Sequence, residues 1–208
     1  MKIIDLSTWE RAEHYHFFRQ ADYPQYSICA NVDITHFLQF TKATGLPFYY
    51  AMIFAATTVL NDVEAFKYRI RGDKVVLHDT VHPAFTDMSK GSELFKYVTV
   101  NLEKDIFAFA KTAKEYAEKQ TSFMVPSEEQ RDDLTYITCI PWVSFTGMTH
   151  TITLNKDDSV PRLSWGKYFR DGAKTLMPFS VQANHSFVDG LHMGRYYDQL
   201  QQYLNEII

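Results

Sequence analysis

A chain of 208 residues with 25 Asp and Glu against 21 Lys and Arg carries a net charge of -4. With a pI near 6.0 and cations scattered along its length, it excludes a nucleic-acid footprint or an anionic-surface patch. The two cysteines, Cys29 and Cys139, are too few and too far apart for a disulfide framework or a zinc site, and a reducing cytoplasm is the simplest setting.

From the N-terminus, MKIIDLSTWERAEH has no apolar core of signal-peptide length and predicts no secretion signal. Ser7 followed by Glu10 is a capping-box spacing, so a helix is expected from Thr8 through ERAEHYHFFR. Tyr26 to Thr35 has the β-branched and aromatic make-up of a strand. Asp33 or Thr35 can cap the next helix, which Gly45 ends. Pro47 opens the most apolar run, Pro47 to Leu60. At about 14 residues it is short of the ~20 that span a bilayer, and it reads as a buried helix.

FKYRI and VVLHD flank Arg71-Gly72-Asp73-Lys74, a hairpin pattern with its turn at Gly72 and Asp73. The tripeptide Arg-Gly-Asp is read as that turn and not as an adhesion signal. Thr80 to Met88 and Leu94 to Leu102 predict two strands joined by SKGSE. Lys104 to Gln120 predicts an amphipathic helix with Ile106, Phe107, Phe109, Ala110 and Ala113 inward. Leu134 to Leu154 predicts one long or two successive strands broken near Pro141, and two more strands surround Arg170-Asp171-Gly172-Ala173.

In the last stretch, Met177, Phe179, Val181 and Ala183 alternate with Leu176, Ser180 and Gln182, a strand whose first face His185 continues. Met193, Tyr197, Leu200, Leu204 and Ile207 define a helix with Asp198, Gln201 and Gln202 toward water. Gly190 is expected to permit the change of direction between them. The whole is one mixed α/β domain over residues 1–208, with helices concentrated early and at the end. Its 16 Phe, 13 Tyr and 3 Trp suit large apolar pockets, a subunit contact, or a core built from rings.

Among the eight histidines, the pairs His14 with His16 and His78 with His82 lack carboxylate or cysteine company at a zinc-like spacing, so no metal is expected. His185 sits at a strand end, and an imidazole there can take a proton from a hydroxyl near neutral pH. Asp189 can orient that histidine directly, or it can pair elsewhere and lock the loop, with Arg11 a candidate partner. No nucleophile elbow, phosphate loop or dinucleotide fingerprint is present.

The stretch Asn184-His185-Ser186-Phe187-Val188-Asp189-Gly190 resembles the His-His-x-x-x-Asp-Gly hallmark of the chloramphenicol acetyltransferases. Trp9-Glu10-Arg11, Glu13-His14, Val32-Asp33-Ile34-Thr35, Pro83-Ala84-Phe85-Thr86, Pro141-Trp142-Val143-Ser144-Phe145 and Pro178-Phe179-Ser180-Val181-Gln182 resemble further landmarks in the same order. The likeness covers essentially the whole chain. It implies the two-layer, mixed-sheet fold of CoA-dependent acyltransferases and transfer of acetyl from acetyl-CoA to a hydroxyl, with chloramphenicol the named acceptor.

The resemblance also implies that His185 is the general base and that Asp189 pairs with Arg11 to hold the loop. Ser164 falls where a threonine helps bind the tetrahedral intermediate through water, and Tyr168 where a tyrosine meets the CoA adenine. Thr146 is grouped with them on the acetyl-CoA side. A homotrimer is implied, with sites between subunits and Phe18, Tyr26 and Phe95 in the acceptor pocket. No nucleic acid or membrane partner is implied.

Three positions depart from the family pattern. Gly147 stands where the family has its oxyanion-binding serine, and loss of such a donor typically costs ~10²–10³ in rate. This supports the alternative of a trimeric CoA- or small-molecule-binding protein with little turnover. Thr146, Ser144 or a backbone N–H near Gly147 can substitute, although on a regular strand Thr146 points away from the face of position 147. Asn184 replaces the first histidine without removing the base. Phe18 stands where a tyrosine often touches the antibiotic.

Overall fold

The computed structural model describes residues 1–89, 91–128, 130–151 and 153–207. Strand β1 (Lys2–Ile3) leads through turns to helix α1 (Ala12–Phe18). The helix begins at Ala12 and not at Thr8, because Ser7 donates its hydroxyl and its N–H to Asp5 at 2.7 and 3.0 Å. The capping box is thereby replaced by a local turn that competes for the same groups.

Strand β2 (Gln25–Asp33) runs into α2 (Thr35–Thr44), where Asp33 Oδ1 accepts from the Thr35 N–H at 3.0 Å. Gly45 ends α2 as expected, in the left-handed conformation at φ 70°. The apolar run forms α3 (Phe48–Asp62), buried continuously from Ala51 through Thr57. The hairpin of β3 (Tyr68–Arg71) and β4 (Lys74–Leu77) turns at Gly72, and β4 pairs with β1 to make a three-stranded sheet.

After β5 (His82–Met88) and β6 (Phe95–Thr99) comes α4 (Ile106–Lys119), capped by Asp105 Oδ1 on the Ala108 N–H at 2.8 Å. Such a cap contributes ~1 kcal/mol. Phe107 is 46% exposed, contrary to the expectation that it faces the core. Strand β7 (Leu134–Ile140) ends before Pro141, and the expected second strand does not form: the described residues from 141 to 154 are turns and irregular backbone. Proline has no N–H to continue the ladder there.

β8 (Arg162–Gly166), β9 (Phe169–Asp171) and β10 (Lys174–Asn184) follow, then α5 (Gly190–Glu206). The main sheet runs β2-β10-β8-β7-β5-β6, with β9 beside β10. β5 with β7 and β7 with β8 are parallel, and the remaining pairs are antiparallel, so the sheet is mixed.

Alternation assigns the faces of the sheet. Phe85, Ile137, Leu163, Trp165, Phe179 and Val181 meet the buried sides of α3 and α5 in the main core. Among the described residues the other face carries a small apolar group, Ala84, Leu134 and Val160 with Tyr136 against it, beside Thr138, Arg162, Ser164, Ser180 and Gln182. Gln201 is not turned to water as the helical pattern suggests. Its amide exchanges two 2.8 Å hydrogen bonds with the backbone of Asp33, tying α5 to the end of β2.

One glycine is needed for close approach. A Cβ on Gly166 would lie 2.5 Å from Val143 O and 2.9 Å from Phe145 Cδ1, and the neighbouring Lys167 N–H donates to Val143 O at 2.8 Å. Gly166 thus lets the irregular segment after Pro141 fold back against the end of β8. Gly166→Ala is expected to destabilise by ~1–3 kcal/mol through overpacking, read from urea melts. Protease cleavage between Pro141 and Thr149 should rise at the same time.

Candidate functional site

The last rung of the β2–β10 ladder pairs Asn184 with Gln25. Immediately beyond it the His185 N–H donates to Pro24 O at 2.7 Å, so the base of the imidazole is fixed to the sheet edge. The ring stacks on Phe18 with centroids 3.9 Å apart and 8° between planes, and it lies 4.6 Å from Tyr26. Its Nδ1 is buried and sits 3.3 Å from Asp189 Oδ1, near enough for charge attraction but not aligned as a hydrogen bond. The side chain remains 33% exposed.

The loop that carries His185 is folded on Asn184. Its carbonyl accepts from the N–H groups of Phe187 and Val188, both at 3.1 Å. Its Oδ1 accepts from Ser186 N at 2.9 Å, and its Nδ2 donates to Asp158 O at 3.0 Å. A carboxamide satisfies an acceptor and a donor at once in this 2%-exposed position.

Arg11 closes the loop from the other end of the sequence. Nη1 and Nη2 donate to the two oxygens of Asp189, each at 2.6 Å, Nε donates to Ser186 O at 2.8 Å, and Nη2 also reaches His185 O at 3.1 Å. The guanidinium holds the Asp189 carboxyl below its usual range, its hydrogen bonds outweighing partial burial. Of the two placements considered for it, Asp189 takes the pairing with Arg11; it lies 3.3 Å from His185 Nδ1 but makes no hydrogen bond to it.

Gly190 is the first residue of α5, has no positive φ, and has open space where a Cβ would lie. The chain turns here because Asp189 is extended at φ -108°, ψ 175°, and the glycine is not required for it.

Tyr26 has a buried hydroxyl, and burial pushes it up to about 12. It therefore stays a neutral wall beside the imidazole. Behind the loop, Phe187 packs against Tyr15 and Tyr68 at 5.8 and 5.5 Å and against Trp9 at 6.2 Å. These rings were invisible as a group in the sequence, where they are spread over four elements.

The other expected residues lie elsewhere. Ser164 is fully buried on β8, with its Oγ 3.2 Å from His150 Nε2. Tyr168 is 46% exposed and edge-on to Phe48 at 6.3 Å. Thr146 and Gly147 are exposed in the irregular segment, so strand alternation says nothing about which way Thr146 points. Phe95 packs against Tyr97 and Phe123 on β6, at the opposite edge of the sheet from β2 and four strands from β10. Phe18 and Tyr26 are brought to His185 in one chain; Phe95 is not. Among the described residues no group of three or more His, Cys, Asp or Glu is placed to hold a metal ion, and no helix is long and apolar enough to cross a membrane.

The family model for chloramphenicol acetyltransferase matches residues 1–201. The chain is similar to chloramphenicol acetyltransferase 2 of Escherichia coli, 31% identical over 210 residues, covering 99% of this chain and 97% of that protein. Its structure is similar to a solved chloramphenicol acetyltransferase, with a TM-score of 0.89, 28% identity, and coverage of 98% and 99% of the two chains. The fold is also similar to the dihydrolipoamide acetyltransferase of Azotobacter vinelandii, with a TM-score of 0.72 at 18% identity over 94% of this chain and 86% of that one.

Arg11→Ala is expected to cost ~2 kcal/mol in urea melts, between the value of an exposed ion pair and that of a buried one. Arg11→Lys should recover less than half, because one ammonium cannot serve the same fork of acceptors. The folded Asp189 carboxyl lies below its unfolded value of ~3.9. Its contribution is therefore complete above that pH and is lost as pH falls through the lower folded value. Asp189→Asn should flatten this part of the acid dependence.

Proposed function

The chain belongs to the chloramphenicol acetyltransferase family, and from that membership we propose that it transfers acetyl from acetyl-CoA to a hydroxyl of a small molecule, with chloramphenicol the leading acceptor. The observation that carries this reading is the setting of His185: an imidazole stacked on Phe18, flanked by Tyr26 and fixed through its backbone, beside a carboxylate already neutralised by Arg11.

With Nδ1 turned toward Asp189, Nε2 is the nitrogen that accepts the proton of the acceptor hydroxyl. The oxygen attacks the thioester carbonyl carbon, and a tetrahedral intermediate forms. Its collapse breaks the C–S bond, and the CoA thiolate leaves with the proton returned from His185. Asp189 stabilises the transient imidazolium across 3.3 Å. Because Arg11 already satisfies both carboxylate oxygens, Asp189 serves chiefly to hold the loop.

Ser164 and Thr146 are assigned to the side of the bound thioester, and Tyr168 to the adenine end of CoA. Phe18, Tyr26 and Phe95 are assigned to the acceptor pocket. Four strand spacings at ~4.8 Å separate β10 from β6, about 19 Å, so Phe95 can share a pocket with His185 only across a subunit contact. This separation supports a homotrimer with sites between subunits, in which the exposed Phe95 and Phe123 are covered by a neighbour. Acetyl-CoA enters as cosubstrate; the reaction as written uses no metal, and a cytoplasmic setting supplies the thioester.

Gly147 favours a second reading, a trimer that binds CoA or a small molecule with little turnover. A thiol-release assay with acetyl-CoA and a panel of hydroxyl and amine acceptors decides between the two. CoA release with chloramphenicol or another hydroxyl acceptor is expected; CoA binding without release in any of them selects the second reading. His185→Ala should lose at least ~10²-fold in kcat, the usual worth of a positioned base, with assembly unchanged by sedimentation. Near-normal acetylation by that variant would remove His185 as the base.

A further inference from the structure

Ser164 is a buried hydroxyl on the face of the sheet that no helix covers. Its Oγ lies 3.2 Å from Nε2 of His150, its one hydrogen-bond partner among the described residues. Taken as the donor to Nε2, Ser164 satisfies its hydroxyl proton inside the chain. That fixes the His150 proton on Nδ1 and leaves the ring a donor at its other end.

His150 also lines a cavity of about 540 Å³ with Tyr136, Thr138 and Arg162, and Ser164 does not reach that wall. The imidazole therefore stands between Ser164 and the space in front of it. Burial, and then the charge of Arg162, push His150 down to about 4, so the ring stays neutral at physiological pH. Arg162 is itself paired with Asp158 at 2.6 Å.

Gly147 belongs to the same irregular segment, which Gly166 allows to lie against β8. A Cβ at Gly147 would meet nothing within 4 Å, so the place of a hydroxyl there is open. A neutral N–H on a half-buried ring is the kind of donor that stabilises a developing oxyanion without reorganisation.

We propose that His150, held by Ser164, is a catalytic residue of the acetyl transfer, donating its Nδ1–H to the thioester carbonyl oxygen in place of the hydroxyl that Gly147 lacks. This rests on the reading above that Ser164 borders the tetrahedral intermediate. Ser164 pairs with Ser180, five residues short of His185 on the same chain, so the base comes from the neighbouring subunit of the proposed trimer: as the acceptor oxygen bonds to the carbonyl carbon, its proton passes to that subunit's His185 and the carbonyl electron pair moves to oxygen. His150 donates a hydrogen bond to that oxygen and keeps its proton. Collapse restores the carbonyl, breaks the C–S bond and expels the CoA thiolate, which takes the proton from His185.

The test compares His150→Phe, His150→Gln and the double variant His150→Phe with Gly147→Ser, at saturating acetyl-CoA. His150→Phe should lose ~10²-fold in kcat with the acetyl-CoA KM within ~3-fold, as expected for a donor used only in the transition state. His150→Gln, which keeps a neutral N–H, should stay within ~10-fold of the unaltered chain, and Gly147→Ser should restore at least ~10-fold to His150→Phe. A merely structural histidine would not be rescued by a hydroxyl at position 147.

A folded His150→Phe protein that turns over within ~3-fold of the unaltered chain overturns this role and leaves the acetyltransferase reading standing. A chain that acetylates no acceptor overturns that reading, and the role of His150 with it. Nitrogen-15 NMR of the unaltered chain, assigned by difference with His150→Gln, gives a reading that does not depend on the folding of His150→Phe. A neutral ring protonated on Nδ1 from about pH 5 to 8 is expected, and a His150 that titrates near ~6.5 overturns the proposal.

Discussion

The site depends on one guanidinium. Arg11 donates to a carboxylate and to two backbone carbonyls within the loop that begins at His185, so a residue near the N-terminus fixes the geometry of a segment near the C-terminus. Arginine suits this work because its donors form a rigid planar fork, and each hydrogen bond formed orders the others. The rings of Trp9, Tyr15 and Tyr68 close on Phe187 from the same side, so the ion pair is placed by packing as well as by charge. The loop has little freedom left, and the imidazole inherits that rigidity.

The two faces of the main sheet then divide the labour. One is sealed by helices, with α3 buried along most of its length, and supplies the apolar area that holds the fold. The other keeps Arg162, Ser164, Ser180 and Gln182 buried or nearly so, yet without helical cover. Ser180 Oγ and Gln182 Nε2 have no hydrogen-bond partner among the described residues. Buried groups of this kind are costly unless they find a partner, so this face is the more polar of the two.

Much of this was legible in the sequence because it is local. Alternation marked β10, an apolar run bounded by proline marked α3, and Gly45 and Gly72 stand at the helix end and the hairpin turn assigned to them, both with positive φ. The errors came where a tertiary or competing local contact decides. Asp5 takes the hydroxyl that was expected to cap α1. Gln201, on the apparently wet side of α5, is held by the backbone of Asp33. Phe107 follows an apolar spacing yet faces outward. Asn184 looked like a neutral departure from the hallmark, whereas it organises the loop through both ends of its carboxamide. The Arg11–Asp189 pair was one of two placements expected for Asp189, and it is the one the hydrogen bonds show, with Oδ1 left 3.3 Å from His185 Nδ1.

The segment after Pro141 explains why the missing serine could not be judged from the sequence. Read as a strand, it places residues 146 and 147 on opposite faces, which weighs against Thr146 as the substitute. The segment instead leaves the sheet at Pro141 and folds back over Gly166, where the backbone of Val143 approaches too closely for any side chain. Once the strand is gone, face alternation no longer limits which side chain of the segment can reach the end of β8. His150 does so, in contact with Ser164. The glycines at 147 and 166 thus have different physical meanings: position 166 excludes a Cβ, whereas position 147 tolerates one. Only the first is a constraint of the fold; the packing leaves position 147 free to carry a side chain.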